Sequence, residues 1–137
     1  MKISIKRGAK EIGGSAVEIT ADSGQRIVID LGLPLDVEQN TPELLPQIKG
    51  LQHKTDDLAA LLISHAHQDH YGLGKYIDKS IPVYLSKEAA CMMKIAKEHH
   101  LPEAFEFENS TYFENEKKFI IGDFTITPYL CDHSAYG

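Results

Sequence analysis

Polar and apolar residues alternate at a period of two over Lys2-Ile3-Ser4-Ile5-Lys6 and over Ser15-Ala16-Val17-Glu18-Ile19-Thr20, so each segment predicts a strand with one buried face. Gly13-Gly14 breaks the chain between them. Ala21-Asp22-Ser23-Gly24-Gln25 is turn chemistry and feeds Arg26-Ile27-Val28-Ile29-Asp30-Leu31, a hairpin that Gly32 stops. Residues 33–57 carry Pro34, Pro42 and Pro46 with little periodicity, predicting a long irregular connection with one short helix near Glu43 to Lys49. The continuous apolar run Leu58-Ala59-Ala60-Leu61-Leu62-Ile63-Ser64 fits a strand buried on both faces and delivers the chain into His65. Beyond the next histidines, residues 71–79 are weakly helical and Ile81 to Leu85 reads as a short strand. Ser86 caps a helix over Lys87 to His100, with Ala89, Met92, Met93 and Ala96 at helical spacing. Lys117 to Ile121 and Phe124 to Leu130 flank Gly122-Asp123 as a second hairpin.

Composition narrows the class. The chain has 137 residues, 42% apolar and 25% charged, enough for one domain whose core needs neither disulfides nor a structural metal. Collagen, disorder and disulfide scaffolds are excluded. No run approaches the roughly 18 consecutive apolar residues of a membrane helix, and Met1 to Arg7 lacks the apolar core of a signal peptide, so no membrane partner and a cytoplasmic location are expected. Fourteen basic residues against 20 acidic give a net charge of −6, so no global positive field attracts nucleic acid. A bound divalent ion supplies local positive charge that this sum omits. Cys91 and Cys131 form no C-x-x-C pair and are expected to be reduced, half-buried packing residues.

Histidine is clustered rather than spread along the chain. Three of the 7 lie in His65-Ala66-His67-Gln68-Asp69-His70, together with one carboxylate. In extended geometry His65 and His67 point the same way and can share a metal, while Asp69 and His70, where the chain bends, point toward a second position. Catalytic zinc typically takes three protein ligands and a water, so a distant third is needed. His133 qualifies by context, since like His65 it follows a predicted strand.

The motif His65-x-His67-x-Asp69-His70 after an apolar strand, with Ile29-Asp30-Leu31-Gly32 before it and a lone His after a later strand, resembles the metallo-β-lactamase superfamily. Within it, Gly8-Ala9-Lys10-Glu11-Ile12-Gly13-Gly14, Asp30-Leu31-Gly32-Leu33-Pro34 and Asp132-His133-Ser134 resemble the branch of ribonuclease J and other β-CASP nucleases. The resemblance implies an α/β fold, the N-terminal half of an αββα sandwich with a mixed β-sheet and flanking helices. It implies two divalent metal ions, zinc first and manganese as the alternative. His65, His67 and His133 would hold one ion, and Asp69 and His70 the other, with Asp69 also orienting the attacking water. Asp30 would hold the histidine loop in register, a strand-end or turn Asp being its plain alternative. Ser134 would meet a substrate phosphate, or serve as a turn hydroxyl.

The chain departs from the pattern after His133. The bridging Asp, the final His and the β-CASP insert that follow in complete members have no counterpart here, so residues 1–137 are expected to form a partial domain with an incomplete second metal site. Asp123 precedes His133 and reads as a hairpin-turn residue. His99-His100 suits the C-terminal end of a helix dipole better than a metal, and His53 reads as exposed. Three functions stay open: a metal-dependent phosphodiesterase acting on RNA, a thioester, lactone or lactam hydrolase, and a metal-binding fragment without turnover. An open sheet edge would also give a homodimer a route.

Overall fold

A computed structural model describes residues 1–37 and 39–131 of the chain. Three antiparallel strands start the fold: β1 (Lys2–Arg7), β2 (Ala16–Thr20) and β3 (Arg26–Ile29). Parallel strands continue it as β4 (Leu58–Leu62), β5 (Val83–Ser86) and β6 (Ser110–Phe113), giving one mixed sheet in the order β1-β2-β3-β4-β5-β6. A separate hairpin pairs β7 (Phe119–Ile121) with β8 (Phe124–Ile126), and Gly122-Asp123 forms its turn as expected. Two helices join the strands: α1 (Gln68–Tyr71), a single turn, and α2 (Lys87–Glu98), whose N-cap Ser86 accepts a hydrogen bond from the Ala89 N–H at 3.0 Å. Among the described residues no helix is long and apolar enough to cross a membrane.

Both faces of the sheet are apolar. One packs Val28, Leu61, Val83 and Leu85 against Leu51, Tyr71, Leu73 and Met93. The other packs Ile27, Ala60 and Leu62 beneath Ile121 and Phe124 of the hairpin, and the Phe119 ring stacks on Tyr84 at 5.4 Å. β4 is therefore buried on both sides, as its unbroken apolar run requires.

Several expectations need correction. Ile3 and Ile5 are 64% and 61% exposed, because the cluster under the hairpin takes in Ile19, Ile29 and Tyr84 but does not extend to β1. The helix expected near Glu43 to Lys49 is only a 3-10 turn, Pro42–Leu44. The sequence does not mark β6, because Ser-Thr-Tyr-Phe at a sheet edge has no apolar alternation. Helix begins at Gln68 rather than Tyr71, since the His67 carbonyl accepts the N–H groups of His70 and Tyr71. On α2 only Ala89 and Met93 are buried, while Met92 is exposed. Both cysteines are free, and both are exposed rather than half-buried.

At the β1–β3 end a charged network replaces apolar packing. Buried Arg26 donates to Glu18 at 2.6 Å, to Asp57 at 2.9 Å and to the Lys49 carbonyl at 2.9 Å, and Lys6 pairs with Glu18 at 2.9 Å. Burial alone would raise the Glu18 carboxyl, but the hydrogen bonds from Lys6 and Arg26 outweigh it and hold it below its ordinary 4.5. Hydrogen bonds from Arg26 and then Thr55 hold Asp57 well below the usual carboxylate range. Depressed folded-state values mean stability that is present above the unfolded values and lost as pH falls through the folded ones. Urea midpoints are therefore expected to drop steeply below about pH 5, and Arg26→Met to flatten that slope. Parallel pH profiles for the two proteins would exclude this network as the source.

Candidate metal centre

Neighbouring parallel strands converge on the site. β4 runs through buried Ile63 to Ser64 and His65, and β3 ends at Asp30 beside it. Asp30 leaves the strand with φ 61°, a left-handed backbone that Asp tolerates better than most residues. Its carboxylate is 5% exposed as a residue and is used three times. Oδ1 accepts the Ser64 N–H at 2.8 Å, while Oδ2 accepts the Ser64 hydroxyl at 2.8 Å and stands 2.7 Å from His70 Nδ1. That bond to Asp30 is the main reason the His70 imidazole is raised above its ordinary value; burial opposes it, and the Asp30 and Asp69 charges add to it.

The backbone clamps the same loop. Leu31 and Leu33 donate to the carbonyls of His70 and Gln68 at 2.8 and 2.9 Å, and Ser15 donates to the Asp69 carbonyl at 3.0 Å. Gly32 is required by contact: a Cβ there would lie 1.7 Å from the Asp69 carbonyl oxygen. Gly13, with φ 79°, brings its loop against Asp69, where a Cβ would lie 3.2 Å from the Asp69 Cβ.

These supports bring four predicted ligands together. The His65 ring lies 4.6 Å from that of His67 and 4.0 Å from that of His70, centre to centre, and His70 Nε2 is 3.7 Å from Asp69 Oδ2. His65 Nε2 is shielded from solvent. His133 and Ser134 lie outside the described residues, as does Asp132. Ser64 joins the site only in the folded chain; its sequence signal is no more than a hydroxyl placed between an apolar strand and His65.

The metallo-beta-lactamase superfamily model matches residues 10–129. The chain belongs to this superfamily. It is 28% identical over 111 residues to ribonuclease J of Mycolicibacterium smegmatis, an alignment covering 77% of this chain and 20% of that protein. It is 34% identical over 88 residues to ribonuclease J of Helicobacter pylori, covering 61% of this chain and 13% of the relative. The solved Rm3 metallo-beta-lactamase superposes with a TM-score of 0.58 at 23% identity, covering 85% of this chain and 45% of that one. The chain thus spans a fifth or less of the length of these two ribonucleases J and under half of that lactamase.

The metallo-beta-lactamase fold implies a divalent metal. The donor chemistry fits one: three imidazoles and a carboxylate share one loop, and the bond from His70 Nδ1 to Asp30 leaves Nε2, on the side of Asp69, as the atom that would face an ion. Among the described residues, no three or more His, Cys, Asp or Glu side chains already stand in a geometry that holds an ion.

Proposed function

We propose that this chain carries the metal-binding half of a metal-dependent phosphodiesterase that cleaves RNA. The observation that carries the metal reading is the Asp30 carboxylate, buried behind the histidine loop and bonded to both Ser64 and His70. The substrate class is supported by the relatives named ribonuclease J. His65, His67 and His133 would hold one ion and Asp69 and His70 the other, zinc before manganese, with the second site lacking ligands in this chain. When bound, such ions lower the pKa of water toward neutrality and stabilise charge developing on substrate oxygens.

The chain's own residues do the rest. Asp69 would accept a hydrogen bond from the attacking water and so aim the water's lone pair at phosphorus, as the P–O bond to the leaving ribose oxygen breaks. Asp30 fixes the His70 ring, and Ser134 would donate to a phosphate oxygen. The clamps from Leu31, Leu33 and Ser15 hold the loop while charge shifts, so little reorganisation accompanies reaction.

The test assays the zinc- or manganese-loaded full-length product of the encoding gene on an RNA oligonucleotide, bis(p-nitrophenyl) phosphate, and thioester, lactone and lactam reporters. Cleavage of the phosphodiesters with the other reporters intact is expected. Hydrolysis of the reporters without phosphodiester cleavage, or no turnover on any substrate, would overturn the proposal.

A further inference from the structure

Ser64 occupies the junction between the buried carboxylate and two of the histidines. Its Oγ is 2.8 Å from Asp30 Oδ2, 3.1 Å from His70 Nδ1 and 3.4 Å from His65 Nδ1. A hydroxyl has one proton to give and two lone pairs to accept with. The charged oxygen at 2.8 Å is both nearer and a stronger acceptor than the imidazole nitrogen at 3.4 Å, so the proton goes to Asp30. His65 Nδ1 then faces a hydroxyl lone pair and must carry its own proton to bond it. His70 Nδ1 donates chiefly to Asp30, the shorter contact at 2.7 Å.

We propose that Ser64 is a positioning residue whose hydroxyl extends the hold of Asp30 to His65, fixing His65 and His70 alike as Nδ1–H tautomers with Nε2 as the ligand atom of each. The order of donation is His65 Nδ1–H to Ser64 Oγ, Ser64 O–H to Asp30 Oδ2, and His70 Nδ1–H to that same oxygen. One carboxylate thereby sets the ring of a residue assigned to each ion. The relay deepens the metal-centre reading and depends on it for purpose, whereas the tautomers themselves exist without metal.

Ser64 is exposed and Ser64→Ala keeps the Cβ while removing only the oxygen, so the change tests the hydroxyl rather than the packing. Long-range proton–nitrogen NMR of the metal-free 137-residue chain, at a pH where the imidazoles are neutral, reads which ring nitrogen of each histidine is protonated. His65 and His70 are expected at Nδ1–H. Ser64→Ala is expected to move His65 toward Nε2–H with His70 unchanged, and Ser64→Thr, which keeps the hydroxyl, to restore it. Zinc affinity should fall roughly 10-fold or more in Ser64→Ala and recover in Ser64→Thr. A wild-type His65 protonated at Nε2, or a His65 tautomer indifferent to Ser64→Ala, would overturn the relay. The tautomer shift without zinc uptake by any of the three proteins would uphold the relay and defeat the metal reading, so the two fail separately.

Discussion

Replacing His65 and His67 together with alanine is expected to abolish divalent-metal binding. The 137-residue chain, dialysed against zinc and measured by elemental analysis, should hold about one ion, since its ligands are nearest to complete at a single site. His65 and His67 leave one strand two residues apart, with ring centres 4.6 Å from each other, so both can reach a common ion from a short segment. Losing both removes two of the three protein ligands assigned to that ion, and apparent zinc affinities of about 10–16 kcal/mol in full sites depend on every ligand. Because both rings lie on a partly exposed loop, circular dichroism should be unchanged. Changing His99 and His100 at the end of α2 should leave the zinc content as it was. Zinc retained by the His65/His67 variant would mean that the ions sit elsewhere.

Asp30→Ala is expected to cause the largest loss of stability of any single change at the site. It strips the acceptor from the Ser64 N–H, the Ser64 hydroxyl and His70 in one step. Hydrogen bonds to charged groups contribute about 1.5–3 kcal/mol each, non-additively, and alanine at φ 61° adds about 1–2 kcal/mol of backbone strain. A total near 3–5 kcal/mol is a large share of a typical domain's stability of about 5–15 kcal/mol. Asp30→Asn keeps one acceptor oxygen and tolerates the left-handed backbone, so it should lose about half as much. Urea unfolding near neutral pH measures both. An alanine variant within about 0.5 kcal/mol of wild type would return Asp30 to the role of an ordinary strand-end residue.

What the sequence discloses follows from how local each cause is. β2, β3, β4 and the β7–β8 hairpin are written in alternation or in an unbroken apolar run, and the four candidate ligands lie within six consecutive residues. β6 exists because β5 offers it an edge to pair with, and nothing in Ser110 to Phe113 announces that partner. Ile3 and Ile5 show the converse: their pattern states which face is apolar, but whether anything covers it depends on the rest of the packing. Asp30 is recognisable as an acid at a strand exit, whereas its left-handed backbone and three hydrogen bonds arise only when β4 docks beside β3. Ser64 is hidden for the same reason, since its contacts join residues 34 and six positions away.

In the proposed centre, His65, His67, Asp69 and His70 would gather around a metal because Asp30 and the loops around it hold them close. Anomalous diffraction at the zinc absorption edge, from zinc-soaked crystals of the 137-residue chain, locates the ion. An anomalous peak is expected within ligand distance, about 2 Å, of His65 and His67 nitrogens. A peak at His99-His100 or at either cysteine, with none at the histidine loop, would contradict it.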